Sequence, residues 1–382
     1  MSEIKVNSIK GVGASTAAIT VNNTDGTATA NLSNRQNRNL IINGAMLVAQ
    51  RGTSSTTSGY GSLDRFKISY SGNDEAPTQS QVDVASGTTP YTLGFRKALR
   101  ITNGNQTSGA GAADYQIIRT ILEAQDIANS GWNYLSSSSN VTLSFWVKSS
   151  VAQNFYGSLR SIDGTGYNYP FETGSLSADT WTKITKTISG NSNLTFNNDN
   201  GTGLYVSFMP FFGTDYTASS VTLNQWAAYN VSTQQPDNTS TWYTTNDATF
   251  EITGVQLEVS DHATDFEHRT FAQEIALCRR YCQVYVSPRL RGVLAQSTQF
   301  QRMGFSFLEE MRTAPSAVWG GTQDVYAGSG TASITGQAAV YSNTHSYETD
   351  STTSGSLAVG AGSSVCAYIG GNEATLTLSA EL

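Results

Sequence analysis

The sequence predicts a mainly β protein assembled from several modules, and three observations carry that reading. Charged residues make up only 13% of 382 positions, about half the usual ~25% share, and Ser, Thr, Asn, Gln and Gly, the residues of sheet faces and turns, fill the gap. Stretch after stretch alternates with a period of two, as where Val141, Leu143, Phe145 and Val147 point one way and Thr142, Ser144, Trp146 and Lys148 the other. Turn residues separate these stretches, and long helical patterns do not intervene. At roughly 100–200 residues per domain the length predicts two or three domains.

Residues 1–38 form the first segment. Ile4 and Val6 alternate with polar residues, and a second alternating stretch, Ala18 to Val21, runs into the turn Asn22 to Gly26. Strands this short bury almost nothing alone. A disordered tail is one reading. An anchor that pairs with copies of itself or with a larger protein is the other, favoured because charge-poor alternation suits pairing better than solvation.

Residues 39–269 form the body. Strands are predicted at Phe66–Tyr70, Phe95–Thr102, Val141–Lys148, Trp181–Ile188, Leu204–Phe212 and Ala248–Val259. This succession predicts a two-sheet sandwich of the jelly-roll kind.

Residues 270–288 predict a connecting helix of about fifteen residues. Thr270 caps its first turn with Gln273 near the capping-box position, and Phe271, Ile275, Cys278, Cys282 and Tyr285 recur at helical spacing. Residues 289–382 return to short strands, among them Met303–Phe307, Ala317–Trp319 and Ala374–Leu378, enough for a small C-terminal β-sandwich.

Composition excludes some partners. A net charge of −7 and a pI near 5.0 provide no basic field for nucleic acid or anionic lipid. The polar stretch from Met1 to Ser15 is no signal peptide, and no apolar run suits membrane insertion, so synthesis in a cytoplasm is expected. Cys278, Cys282 and Cys366 lack a disulfide framework and read as buried thiols.

Catalytic signals are sparse. His262, His268 and His345 do not cluster, and nucleophile elbows, phosphate loops and metal-ligand spacings are missing. Glycan depolymerisation needs a pair of carboxylates across the scissile bond. Asp163, Glu172, Asp179 and Asp215 all stand in predicted loops, and the short repeats of a long β-helix are not seen. The chain is therefore expected not to be an enzyme.

Sugar binding has a better physical basis, because aromatic rings offer flat faces to pyranose C–H groups while amides and carboxylates take the hydroxyls. The loop-like candidates are Trp132 with Tyr134, Tyr167 with Tyr169, and Trp242 with Tyr243. Each has a plainer alternative as core or subunit interface.

Three motif groups carry a family resemblance. Asn39-Leu40-Ile41-Ile42-Asn43-Gly44-Ala45-Met46, followed by Gln50-Arg51-Gly52 and Asp64-Arg65-Phe66, resembles the opening of many tailed-bacteriophage fibre proteins. Gly254 to Val259 with Ala263 to Glu267 and Arg269 resembles the closing strand of the carbohydrate-binding-type jelly rolls in such fibres, and Phe145 to Lys148 has its counterpart there. Met311 to Pro315 and Leu378 to Leu382 are similar to their small C-terminal domain. The resemblance implies a homotrimeric tail fibre in the virion. Its N-terminus would attach to tail or adaptor proteins, and its jelly roll or tip would meet host surface polysaccharide. It also implies calcium as an occasional structural ion, with Glu258 and Asp64 in the appropriate regions. The alternative functions are a passive virion adaptor or capsid decoration and, behind that, a depolymerase.

Overall fold

The computed structural model describes residues 6–12, 17–26, 28–30, 37–286, 289–296, 300–321, 324–327, 330–353, 364–368 and 375–382. Two six-stranded sheets face each other in the body, the sandwich that the alternation predicts. In chain order their strands are β1 (Ser54–Ser55), β2 (Phe66–Ser71), β3 (Thr78–Asp83), β4 (Lys97–Thr102), β5 (Tyr115–Glu123) and β6 (Asn140–Ser149). Then come β7 (Asn154–Ser161), β8 (Tyr167–Ser175), β9 (Thr182–Ser189), β10 (Thr202–Phe212), β11 (Ala227–Ala228) and β12 (Thr249–Glu258). The first sheet has the order β11-β8-β7-β10-β5-β2, and the second β9-β6-β12-β4-β3-β1. Every pairing in both sheets is antiparallel.

Alternation assigns each strand a core face. Phe145 and Val147 of β6, Leu159 of β7, Phe171 of β8, Val206 and Phe208 of β10 and Ile252 of β12 meet between the sheets. The Phe145 and Phe208 rings sit edge to face at 4.8 Å across the sandwich. A bulge between Thr253 and Gln256 interrupts β12. Gly254 lies there at φ +62°, and a Cβ on it would come within 2.7 Å of the Phe95 ring, so close packing and backbone conformation both require glycine.

The segment Asn39 to Gly52 is a plug rather than a strand. Asn43 has φ +61° and its side chain organises the turn, donating to the Val48 and Asp64 carbonyls at 2.8 and 2.9 Å and accepting from the Val48 amide. Asn39 accepts from the amides of Ile41 and Leu257 and donates to the Val255 carbonyl, stitching the plug to β12. Gln50 donates to the carbonyl of Cys282, beyond the connecting helix.

That helix spans Phe271–Arg279, nine residues, shorter than its periodicity predicts. The capping box of Thr270 and Gln273 is formed. Cys282 and Tyr285 do not continue the apolar stripe: Cys282–Val286 is a strand paired with Thr375–Ser379, nearly a hundred positions away. A β-ladder with a distant segment, supported by the β-formers Val284, Tyr285 and Val286, overrides the local helical pattern. Cys278 and Cys282 are free and buried, as expected, and burial holds both thiols well above the ordinary range. The side chain of Cys366 lies outside the described residues.

Thr375–Ser379 is the centre of a three-stranded sheet flanked by Cys282–Val286 and Ser316–Gly320. The other C-terminal strands close into a barrel in the order Arg289–Gln296, Phe300–Ser306, Ser346–Thr353, Gly330–Ser342, Asp324–Ala327 and Ser364–Tyr368. The C-terminal module is thus β throughout, but its strands pair in a ring instead of as two open sheets. At the other end, Ser8–Ile9, Ile19–Val21 and Ala28–Ala30 make a small antiparallel sheet; Ile9 on it and Val6 and Val12 beside it stand exposed. Met1 to Lys5 lie outside the described residues.

Candidate ligand-binding face

Most of the aromatic clusters singled out in the sequence belong to the core. Trp242 and Tyr243 are fully buried: the indole N–H donates to the Thr249 carbonyl, and the phenol donates to Asp114 while its ring stacks on Phe211 at 4.2 Å. Trp132 is buried with its N–H on the Ser139 carbonyl, and Tyr169 is buried with its ring 5.3 Å from Trp226. These four present no ring face to solvent and are corrected from ligand candidates to packing residues. Large aromatics in a two-sheet sandwich gain most by filling the space between the sheets. Tyr134 and Tyr167 are half-buried against the same core, with Tyr134 edge-on to Phe196.

Asp163 accepts both bonds offered by Asn197, and Glu172 accepts from Asn154. His268 packs against Phe95 and Phe266 with its ring nitrogen at the Leu93 carbonyl. Among the described residues there is no group of three or more His, Cys, Asp or Glu able to hold a metal. Glu258 accepts from the amide and hydroxyl of Thr264 and from Gln256, and Asp64 from the amide and side chain of Gln50. Their oxygens already have protein donors, so these two carboxylates do not fit a calcium site.

The outer face of the first sheet holds a different constellation. On β2, β5, β7 and β10 the residues between core positions point away from the second sheet, and they include Lys67, Arg119, Arg160 and Tyr205. Register brings them side by side. Lys67 is the cross-strand partner of Arg119, Arg119 of Ser207, and Arg160 of Tyr205. Two further tyrosines enter from connecting segments, Tyr60 before β2 and Tyr229 after β11. All six side chains are half-buried.

Cations and rings interleave along this band. Lys67 lies 5.9 Å from the centre of the Tyr60 ring. Arg119 sits 4.4 Å over Tyr205, and Arg160 lies 5.8 Å from Tyr205 and 3.2 Å over Tyr229. Arg119 also donates to the Ser207 hydroxyl at 3.2 Å. Burial, reinforced by the like charge of Arg160, holds the Arg119 pKa below its ordinary value despite the opposing tyrosines. With strands spaced about 4.8 Å apart, the band from β2 to β8 extends roughly 19 Å. The sequence carries a faint signal of it, since each cation interrupts an apolar run at an outward position, as in Ile118-Arg119-Thr120 and Leu159-Arg160-Ser161.

The second sheet also has a recess, a cleft of about 270 Å³ bordered by Trp146, Lys183, Phe266 and His268. The Phe95, Phe266 and His268 rings pack on one another there at 4.9 to 5.0 Å.

No protein-family model matches the chain, and no curated protein matches it either. Among solved structures it is similar to a putative sugar binding protein from Bacteroides thetaiotaomicron, at 12% identity over 58% of this chain and 100% of that one, with a TM-score of 0.28. It is also similar to a family 11 carbohydrate-binding module from Clostridium thermocellum solved with a mixed-linked tetrasaccharide, at 11% identity over 55% of this chain and 96% of that one, TM-score 0.25. The N-terminal CBM22-1–CBM22-2 tandem domain of Paenibacillus barcinonensis Xyn10C is matched at 9% identity over 91% of this chain and 100% of that one, TM-score 0.27.

Proposed function

We propose that this chain is a non-enzymatic, structural part of a bacteriophage tail fibre that recognises a cell-surface glycan through the outer face of its first sheet. The observation that carries the binding reading is the band of Tyr60, Tyr205 and Tyr229 interleaved with Lys67, Arg119 and Arg160. A guanidinium stacked on a ring keeps its N–H donors free at the edges and loses little freedom when a ligand arrives. Such pairs offer hydrogen bonds to hydroxyls beside apolar ring surface for sugar C–H groups.

The fibre assignment rests on the motif groups around Asn39–Gly52, Gly254–Arg269 and Met311–Pro315. A homotrimer attached to the tail through residues 1–38 accords with apolar Val6, Ile9 and Val12 standing exposed in and beside a strand too short to cover them. Adsorption of purified protein to host cells, competed by extracted surface polysaccharide, tests recognition. Tyr205→Ala with Tyr229→Ala should lower adsorption without lowering Tm, and adsorption unchanged in the double variant would sink the site. Mass photometry giving only monomer would remove the trimer, and a label on this chain seen away from the tail in virion images would remove the fibre.

A further inference from the structure

Among the described residues, several arginines of this acidic protein sit on carboxylates. Arg65 pairs with Glu381, Arg100 with Glu251 and Arg280 with Glu123. The three cations of the outer band are clustered and, among the described residues, none of Lys67, Arg119 and Arg160 forms an ion pair. The Arg160 Nε is buried without a hydrogen-bond partner. Two guanidiniums share the Tyr205 ring, so two like charges stand close together with no carboxylate paired to either.

The carboxylate on the neighbouring strand is held away from Arg160. Glu172 faces the same side of β8, but it is four positions along the strand from Asn168, the cross-strand partner of Arg160. That is roughly 13 Å at the rise of a strand, and Glu172 accepts from Asn154. A half-buried cluster of three cations that make no ion pair among the described residues, in a chain of net charge −7, is complementary to an anion brought from outside. The planar forks of Arg119 and Arg160 suit an oxyanion that accepts two bonds at once.

We infer that the glycan taken by this face is anionic, a polysaccharide bearing carboxylate or sulfate groups, with an acidic substituent seated between Arg119 and Arg160 and the chain running along the band toward Lys67. This rests on the reading of the face as a glycan site and adds the class of glycan. A neutral polymer would leave the cations unpaired beneath it, whereas an acidic one converts them into charge-assisted hydrogen bonds.

Affinity electrophoresis and calorimetry of the full chain on polygalacturonate, on carboxyl-reduced polygalacturonate and on dextran sulfate test the inference. Polygalacturonate or dextran sulfate should bind, the tighter of the two identifying the acidic group. Reduction of the carboxyls should weaken binding by about ten- to a hundredfold, and Arg119→Gln or Arg160→Gln should do the same to binding of the acidic polymer at unchanged Tm. Rising salt should weaken binding in the native chain and much less in the arginine variants. Equal binding of the native and reduced polymers, lost in the Tyr205→Ala, Tyr229→Ala variant, would overturn the anionic class and leave the site standing. Binding of acidic polymers that neither the tyrosine nor the arginine variants alter would overturn both.

Discussion

Arg65 and Glu381, 316 positions apart, form an ion pair in which the side chains are only 2% and 4% exposed. Arg65 lies 3.4 Å over the Tyr281 ring, and Glu381 also reaches Arg51 at 3.3 Å. Burial alone would lower the Arg65 pKa, but Glu381, with Tyr281 and Tyr60, more than reverses it. The sandwich and the segment around Glu381 are thereby joined through a buried, charged contact.

Removing one partner of a buried pair leaves the other charge uncompensated, typically at about 3–5 kcal/mol. Glu381→Ala should lower unfolding stability by about that amount, read as a fall in the urea midpoint at constant m-value. A midpoint equal to that of the native chain would show that water reaches Arg65 and that the contact contributes nothing.

Gly44 is the tightest point of the plug, where a Cβ would stand 2.1 Å from the Val255 carbonyl oxygen. That oxygen belongs to the backbone of β12 and accepts from Asn39, so it cannot swing aside. Gly44→Ala should cost at least the ~1–3 kcal/mol of an overpacked core. Thermal unfolding of the variant at the native Tm would refute the packing described for the plug.

Asp64 gives a pH dependence. Its carboxyl is pushed up from 3.8 to about 6, chiefly by burial, against the lowering effects of Gln50 and Arg51. The native state therefore holds this proton at pH values where the unfolded chain has lost it. The resulting stability is fully present below about pH 4 and is lost as pH rises through about 6, amounting to roughly 3 kcal/mol. Asp64→Asn has no such proton to lose. Its stability relative to the native chain should rise by about that amount between pH 4 and 7, and a difference that stays flat over this range would show that Asp64 titrates normally.

Trp242 separates packing from recognition. Its buried indole packs edge to face on both Phe155 and Phe250, 6.4 Å from each, so Trp242→Ala should cost about 3–5 kcal/mol. Once the temperature is lowered far enough to keep the variant folded, its glycan affinity should equal that of the native protein. A specific loss of affinity in folded Trp242→Ala would return this residue to the binding site.

The sequence by itself determined the β character, the period of each strand, the Thr270 capping box and the lack of disulfide spacing. These follow from side-chain direction and local hydrogen bonding, which a short window of residues contains. Tertiary structure decided that Cys282 and Tyr285 leave the helix for a ladder with Thr375–Ser379, and that the C-terminal strands close into a barrel. It also decided which aromatics are core, because Trp132 and Trp242 look in sequence like any loop tryptophan until two sheets close over them. The cationic band was the least legible feature. Alternation alone turns Lys67, Arg119 and Arg160 outward, but they meet only because β7, β10, β5 and β2 are neighbours in the sheet. Strand order depends on contacts between distant segments, and no local pattern records it.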